Sequence, residues 1–180
     1  MSKKQKEFKI VFIGDYSVGK TSIIDQIMQK DSKQVKPTIA ATYYRYKYEE
    51  NNRIIFLNIW DTAGQEKYNQ ITQTYIRSAN FILLTVSGQE FSMDRARFWL
   101  NFIGNGTDDQ TKLYFLINKV DLNNQIVVNL AKQFAITNNL TYFEVSAKNK
   151  SGIDQILEQI KEDIQNSQNN LSQVQKTTQS

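Results

Sequence analysis

The chain has 180 residues, 40% of them hydrophobic and 22% charged, and its formal net charge is +4 at pH 7. This length and composition predict one globular domain whose core is large enough to fold without disulfides or structural metals. Because the sequence contains no cysteine and no histidine, it excludes thiolate catalysis, Cys/His zinc sites and Ser/His/Asp triads. It has no apolar run of membrane-spanning length and no signal peptide, so we expect a cytoplasmic protein.

A glycine-rich turn connects the first predicted strand, residues 8–13, to the first predicted helix, residues 20–29. The turn, residues 14–21, matches the P-loop pattern GxxxxGK[ST], in which backbone N–H groups and the helix N-terminus surround phosphates. Lys20 is expected to reach the β- and γ-phosphates, and the Thr21 hydroxyl to bind Mg²⁺. The predicted phosphate-binding residues are Asp15, Tyr16, Ser17, Val18, Gly19, Lys20, Thr21 and Ser22. The pattern alone does not separate an ATPase, a kinase and a GTPase, and a purely structural glycine turn remains an alternative.

The segments that follow carry groups for the γ-phosphate and for Mg²⁺. Thr38 stands after the first helix in a stretch without periodicity and can offer its hydroxyl to the ion. Asp61 ends the third predicted strand and can hold Mg²⁺ through water, while Gly64 can offer an N–H to the γ-phosphate. Gln65 would orient the attacking water. The predicted Mg²⁺ ligands are Thr21, Thr38 and Asp61, and the predicted catalytic residues are Gln65, Lys20 and Gly64.

Strands and helices alternate along the chain, which is typical of βαβ units and a mostly parallel sheet. Strand 42–50 alternates tyrosines with charged residues and meets strand 53–60 at Asn51-Asn52, which predicts an antiparallel edge hairpin. The remaining strands are predicted at 80–87, 112–118 and 141–145, and the remaining helices at 67–77, 92–104, 125–138 and 151–164. We therefore expect an α/β, three-layer P-loop NTPase fold with a six-stranded, mostly parallel sheet, one antiparallel edge strand, and helices on both faces.

The ends of the chain differ in composition from its middle. Residues 1–6 are predicted to form a flexible basic N-terminus, and residues 165–180, rich in Gln, Asn, Ser and Thr, a disordered polar tail. The domain is therefore predicted at residues 7–164. Since no clustered basic helix accompanies the N-terminal lysines, we expect no nucleic-acid binding.

Two loops at strand ends are expected to select the base. One follows strand 112–118, at the edge where open α/β sheets bind ligands, and reads Asn-Lys-x-Asp. The Asp121 carboxylate can accept hydrogen bonds from the two neighbouring N–H donors of guanine, a pair that adenine lacks. The other loop follows strand 141–145 and offers backbone N–H groups to guanine O6. The predicted base-binding residues are Asn118, Lys119, Asp121, Ser146, Ala147 and Lys148. They favour a guanine nucleotide, with an ATP-using enzyme as the alternative.

The sequence resembles a Ras-superfamily small GTPase, most of all the Rab family. The resemblance rests on the order of its motifs, which are the P-loop, Thr38, the run Trp60-Asp61-Thr62-Ala63-Gly64-Gln65-Glu66 and the two base loops. The resemblance implies a G domain that binds GTP or GDP with Mg²⁺, hydrolyses GTP slowly, and acts as a molecular switch in vesicle traffic. Its partners would be an exchange factor, a GTPase-activating protein and effectors, and the protein would be a monomer. The family's effector-binding aromatic residues would fall on Tyr43, Trp60 and Tyr75, which fit ordinary packing equally well.

Three departures from the Rab pattern carry expectations of their own. The sequence lacks C-terminal cysteines, which predicts no direct lipid anchor and recruitment to Golgi or endosomal vesicles only through partners. Residues 30–36 contain no aromatic side chain to stack on guanine, which predicts faster nucleotide release. Tyr16 is bulky beside the γ-phosphate and predicts slow hydrolysis. A guanine-nucleotide-binding scaffold with little or no hydrolysis is therefore the alternative function.

Overall fold

Strands and helices alternate through this computed structural model, which describes residues 3–29, 38, 41–64 and 69–177. The strands are β1 (Lys4–Ile13), β2 (Ala41–Glu50), β3 (Arg53–Thr62), β4 (Phe81–Ser87), β5 (Lys112–Asn118) and β6 (Thr141–Glu144). The helices are α1 (Lys20–Ile27), α2 (Asn69–Ile76), α3 (Met93–Gly104), α4 (Gln125–Thr137) and α5 (Ile153–Thr177). A short 3₁₀ helix, Val120–Leu122, precedes α4.

The strands form one sheet in the order β2-β3-β1-β4-β5-β6. All neighbouring pairs are parallel except β2 and β3, which form an antiparallel hairpin at one edge. Asn51 and Asn52 turn this hairpin with φ values of 47° and 59°, the positive φ pair that a two-residue type I′ turn favours. The predicted α/β fold, with its mostly parallel sheet and single antiparallel edge strand, is confirmed.

Helices cover both faces of the sheet. Consecutive strand residues point to opposite faces, so Ile10 belongs to a buried cluster with Ile24 of α1 and Ile160 of α5. Its neighbour Val11 belongs to a second cluster with Trp99 of α3. Burial on both faces explains why the inner strands are nearly continuous apolar runs. The carboxyl ends of the parallel strands β1, β3 and β5 meet at one edge, where such folds bind ligands. Within the described ranges, no helix is both long and apolar enough to cross a bilayer.

The first strand begins earlier than its hydrophobic pattern predicts. β1 starts at Lys4 rather than at residue 8, because its main chain pairs with β3 from the Lys4–Arg53 register onward while its first side chains stay mostly exposed. Hydrophobic periodicity reports buried side chains and gives no signal for such pairing. Residues 4–6 are therefore part of β1, and a separate basic N-terminus at residues 1–6 stays a prediction.

The last helix ends later than predicted. α5 continues to Thr177 instead of ending at residue 164. Ile164 is the last residue that α5 contributes to the core, so the apolar spacing stops there, but backbone hydrogen bonds between residues four apart do not depend on it. The predicted helix end was wrong, and the division between a domain at 7–164 and a separate tail stays a prediction. The remaining element bounds lie within two residues of their predicted positions.

Candidate nucleotide-binding site

At two positions in the turn between β1 and α1, the backbone conformation and the close neighbours admit only glycine. Gly14 has a φ of 137° and Gly19 a φ of 98°. A Cβ on Gly14 would lie 2.1 Å from the Thr85 carbonyl oxygen, and one on Gly19 would lie 2.3 Å from the Asn118 side-chain nitrogen. Gly19 caps α1 without a side-chain hydrogen bond, so N–H groups of the first helical turn remain available to an anion. The P-loop is therefore shaped for close approach of phosphates.

Lys20 lies inside this turn with only 6% of its surface exposed. Its ammonium group donates to the carbonyl oxygens of Gly14 and Asp15, each at 2.8 Å. Burial lowers the pKa of Lys20 to about 8, against the attraction of the Asp61 and Asp15 carboxylates. Burying a cation among mainly neutral carbonyl groups costs free energy. Phosphate oxygens would supply the negative charge that offsets this cost.

Thr21, Thr38 and Asp61 converge on one point from three parts of the chain. Both hydroxyls donate to Asp61 Oδ2, at 2.6 Å from Thr21 and 3.0 Å from Thr38, and the two hydroxyl oxygens lie 3.0 Å apart. Asp61 Oδ1 is buried and has no hydrogen-bond partner among the described residues. Burial raises the pKa of the Asp61 carboxyl, against these hydrogen bonds and Lys20. An unpaired carboxylate oxygen beside two hydroxyls is a set of hard oxygen ligands, so the three residues fit Mg²⁺.

A cavity of about 340 Å³ lies against these groups. Gly64 borders it and lies so close to the P-loop that a Cβ there would be 2.4 Å from the Asp15 carbonyl oxygen. Tyr16 also borders it, with 56% of its surface exposed. The predicted site residues that line the cavity are Tyr16, Ser17, Gly19, Lys20, Thr21, Ser22, Thr38, Gly64 and Lys119. Gln65 lies outside the described residues.

Asn118 joins the base loops to the P-loop. Its side chain is 2% exposed, and Nδ2 donates to the Val18 carbonyl at 2.8 Å. Its Oδ1 accepts a hydrogen bond from the Ala147 N–H at 3.1 Å. One amide side chain thus connects the loop after β5 to the P-loop and to the loop after β6.

Asp121 lies beside the loop after β6. Its Oδ1 accepts a 2.5 Å hydrogen bond from the Ser146 hydroxyl, and its Oδ2 lies 3.9 Å from the Lys148 ammonium. Lys119 adopts a φ of 68° and lines the nucleotide cavity. The structure therefore brings the six predicted base-binding residues together at the ends of β5 and β6. Residues 30–36, which lack a stacking aromatic, lie outside the described residues.

Three aromatic side chains form a cluster at the open end of the β2–β3 hairpin, away from its turn. Tyr43 and Trp60 are register partners on β2 and β3, and their ring centroids lie 5.1 Å apart. The ring centroids of Tyr75, on α2, and Trp60 lie 4.8 Å apart. Tyr43 is 47% exposed, so the cluster reaches the surface. Its role in effector binding stays a prediction.

Two residues of α3 contact the site without having been predicted as site residues. Arg95 forms a bidentate ion pair with the Asp15 carboxylate, and the Trp99 indole N–H donates to the same carboxylate at 2.9 Å. The sequence held one signal for this contact. Asp15 is a carboxylate within a loop expected to bind anions, and a cation from outside the P-loop offsets its charge.

The fold and the site define a P-loop nucleotide-binding protein. A Ras family profile matches residues 9–166. The chain is 32% identical to GTP-binding protein YPT52 of Saccharomyces cerevisiae, over 88% of this chain and 82% of that protein. It is 31% identical to Ras-related protein Rab-7B of Dictyostelium discoideum, over 92% and 87% of the two chains, and 31% identical to Ras-related protein Rab-17 of Mus musculus, over 87% and 75%. The chain belongs to the Ras family of small GTPases, which are GTP-binding switches.

Proposed function

We propose that this protein is a Rab-type switch that binds and hydrolyses GTP and regulates vesicle traffic through GTP-dependent effector binding. The observation that carries the proposal is the position of Thr38. Its hydroxyl lies 3.0 Å from both the Thr21 hydroxyl and the Asp61 carboxylate, so a residue outside the P-loop reaches the proposed metal-binding point. A segment held there by the γ-phosphate and its metal is released when the phosphate leaves.

Each group at the phosphate end has a role in hydrolysis under this proposal. Thr21, Thr38 and Asp61 would hold Mg²⁺, which neutralises charge on the β- and γ-phosphates when bound. Lys20 donates its ammonium N–H groups to the same phosphates, and the Gly64 N–H donates to the γ-phosphate. Gln65 orients the attacking water. Intrinsic hydrolysis on the order of 10⁻⁴ s⁻¹ follows, as in Ras, and a GTPase-activating partner accelerates it with an arginine.

The base end gives the switch its preference for guanine. Asp121 accepts hydrogen bonds from the two adjacent guanine N–H donors, and a nucleotide without that pair forgoes both charge-assisted hydrogen bonds. Lys119 would lie along the base. The Lys148 N–H would donate to guanine O6, because the N–H groups of Ser146 and Ala147 donate to the Ser151 carbonyl and to Asn118 Oδ1. The hydrogen bond between Ser146 and Asp121 supports this role, because it holds the carboxylate in one orientation.

The partners are an exchange factor, a GTPase-activating protein and effectors, and the effectors would bind the cluster of Tyr43, Trp60 and Tyr75. Support comes from the contacts of the exposed Tyr43 ring and the half-buried Tyr75 ring with Trp60 and from the similarity to proteins named as Rabs. We propose a cytoplasmic monomer that partners recruit to Golgi or endosomal membranes, without nucleic-acid binding.

A scaffold that holds guanine nucleotide with little hydrolysis is the second candidate. Tyr16 favours it, because this large side chain borders the phosphate cavity where water and a partner's arginine must enter.

The test is to denature the purified protein, identify the nucleotide released, and then follow phosphate release from added GTP with and without Mg²⁺. We expect GDP, together with Mg²⁺-dependent phosphate release that Gln65→Leu abolishes. Gln133→Leu, at an exposed position on α4, is the matched control and should behave as the unmodified protein. GTP retained without phosphate release would favour the scaffold, and exchange of the bound guanine nucleotide for ATP would contradict both.

A further inference from the structure

α3 binds the side chain of Asp15 through three donors. Arg95 Nε donates to Asp15 Oδ1 at 3.0 Å and to Oδ2 at 3.2 Å, and Arg95 Nη2 also donates to Oδ1. Trp99 Nε1, one helical turn further along, donates to Oδ1 at 2.9 Å. The Asp15 and Arg95 side chains are 33% and 34% exposed. Partial shielding and bidentate geometry make such a pair stronger than an ordinary surface ion pair. We call these three residues the α3 clamp.

The main chain of Asp15 contacts Lys20, which is expected to reach the β- and γ-phosphates, and lies close to Gly64. Its carbonyl oxygen accepts a hydrogen bond from the Lys20 ammonium at 2.8 Å. The same carbonyl approaches Gly64 so closely that a Cβ on Gly64 would lie 2.4 Å from it. The position of one peptide unit, that following Asp15, therefore affects both Lys20 and Gly64.

A second cavity, of about 250 Å³, lies beside the clamp between the P-loop and α3 and is lined in part by Tyr16, Thr85 and Phe91. The loop and the helix do not pack against each other where this cavity lies, so the ion pair and the indole hydrogen bond are direct contacts at its edge. The P-loop also contains Ser17 at a φ of 63°, a conformation that a non-glycine residue keeps only when its surroundings hold it.

We propose that Arg95 is a positioning residue for nucleotide binding, which acts through Asp15 to keep the P-loop in its phosphate-binding conformation. This inference rests on the proposed binding of GTP and GDP and adds a role for α3. Without the clamp, the loop samples other conformations and must be ordered again whenever it binds phosphates, which weakens binding. The clamp therefore slows the release of GDP.

The experiment measures release of radiolabelled GDP from the Mg²⁺-loaded protein into excess unlabelled GDP. We expect Arg95→Gln to accelerate release about tenfold, which corresponds to the loss of one charge-assisted pair. Arg97→Gln is the matched control: it removes the same charge from the same helix, and Arg97 pairs with exposed Asp94 instead of the P-loop. It should release GDP within about twofold of the unmodified rate.

A double-mutant cycle separates positioning from general loosening of the fold. If Arg95 acts through Asp15, then Arg95→Gln combined with Asp15→Asn releases GDP no faster than the faster single variant. A double-variant acceleration equal to the product of the two single accelerations would overturn the proposal. So would unchanged release from Arg95→Gln with an unchanged melting temperature.

Arg95→Lys covers the case in which the glutamine variant does not fold. Lysine keeps the positive charge but lacks the planar guanidinium that binds both carboxylate oxygens. We therefore expect Arg95→Lys to release GDP faster than the unmodified protein. If Arg95→Gln folds, it should release GDP faster still. Release at the unmodified rate would contradict the proposal. If the unmodified protein retains no guanine nucleotide, nucleotide binding itself fails. If it retains GDP and the Arg95 variants release GDP at the unmodified rate, only the clamp fails.

Discussion

The two ends of the nucleotide site are assembled over different distances along the chain. At the base end, the hydrogen bonds from Ser146 to Asp121 and from Ala147 to Asn118 join residues 25 and 29 positions apart. At the phosphate end, Thr21 and Asp61 are 40 positions apart, and Asp15 and Arg95 are 80 apart. The contacts within the base end therefore join the ends of β5 and β6, whereas those within the phosphate end join α1, β3 and α3. Asn118 connects the base end to Val18 of the P-loop across 100 positions. This difference suits a switch, whose base contacts stay constant while its phosphate contacts change.

The largest effect should come from breaking the base end alone. Asp121→Asn replaces the acceptor of the two guanine N–H groups with an amide, and we expect GTP affinity to fall by about 100-fold or more. Xanthosine triphosphate should gain affinity, because its additional carbonyl accepts from the new amide. Competition binding with the two nucleotides measures this. Asp109→Asn, at an exposed loop position, is the control, and unchanged GTP affinity in Asp121→Asn would refute the assignment of the base end.

Removing the link between the two ends should have the next largest effect. Asn118→Ala leaves the Val18 carbonyl and the Ala147 N–H unpaired in a buried place, at a cost of about 2 kcal/mol in the free energy of unfolding. GDP release should also accelerate, because both ends lose support. Urea denaturation and GDP release report the two effects. Asn101→Ala, exposed on α3, should change neither. A stable variant with normal release would mean that the ends are held independently.

A smaller effect is expected at the phosphate end alone. Tyr16→Ser removes the large side chain that borders the phosphate cavity, and single-turnover phosphate release should accelerate by about threefold as water gains a better position. Tyr16→Phe keeps the ring and should retain the slow rate. If both variants hydrolyse GTP at the unmodified rate, the bulk of Tyr16 is not what limits hydrolysis.

The fold was largely predictable because its signals are local. Each inner strand is an apolar run, and Asn51-Asn52 is a turn sequence between two strands, so periodicity and turn chemistry give the element order. Two bounds were missed for the same physical reason. The start of β1 at Lys4 and the continuation of α5 past Ile164 rest on backbone hydrogen bonds, which leave no hydrophobic pattern.

The candidate site was predictable where a motif carries its own chemistry. Lys20, Asp61 and Asp121 follow from the residue types that phosphate, Mg²⁺ and guanine require, and the structure places them at the sheet edge. Arg95 could not be found in this way. The pattern of α3 indicates a helix with a buried face, but the partner of an exposed-looking arginine depends on how α3 packs beside β1, 80 residues away.

The sequence contains two tryptophans, and their positions in the fold make them fluorescent reporters of two different regions. Trp60 lies between Tyr43 and Tyr75 and directly precedes Asp61, so its emission responds to rearrangement of the aromatic cluster. Trp99 is hydrogen-bonded to the P-loop carboxylate, so its emission responds to movement of that loop. Replacing either indole by phenylalanine leaves a single tryptophan, whose emission can be excited at wavelengths that the nine tyrosines do not absorb. The protein can therefore report, without an attached dye, whether the surface and the P-loop change at the same moment or one after the other.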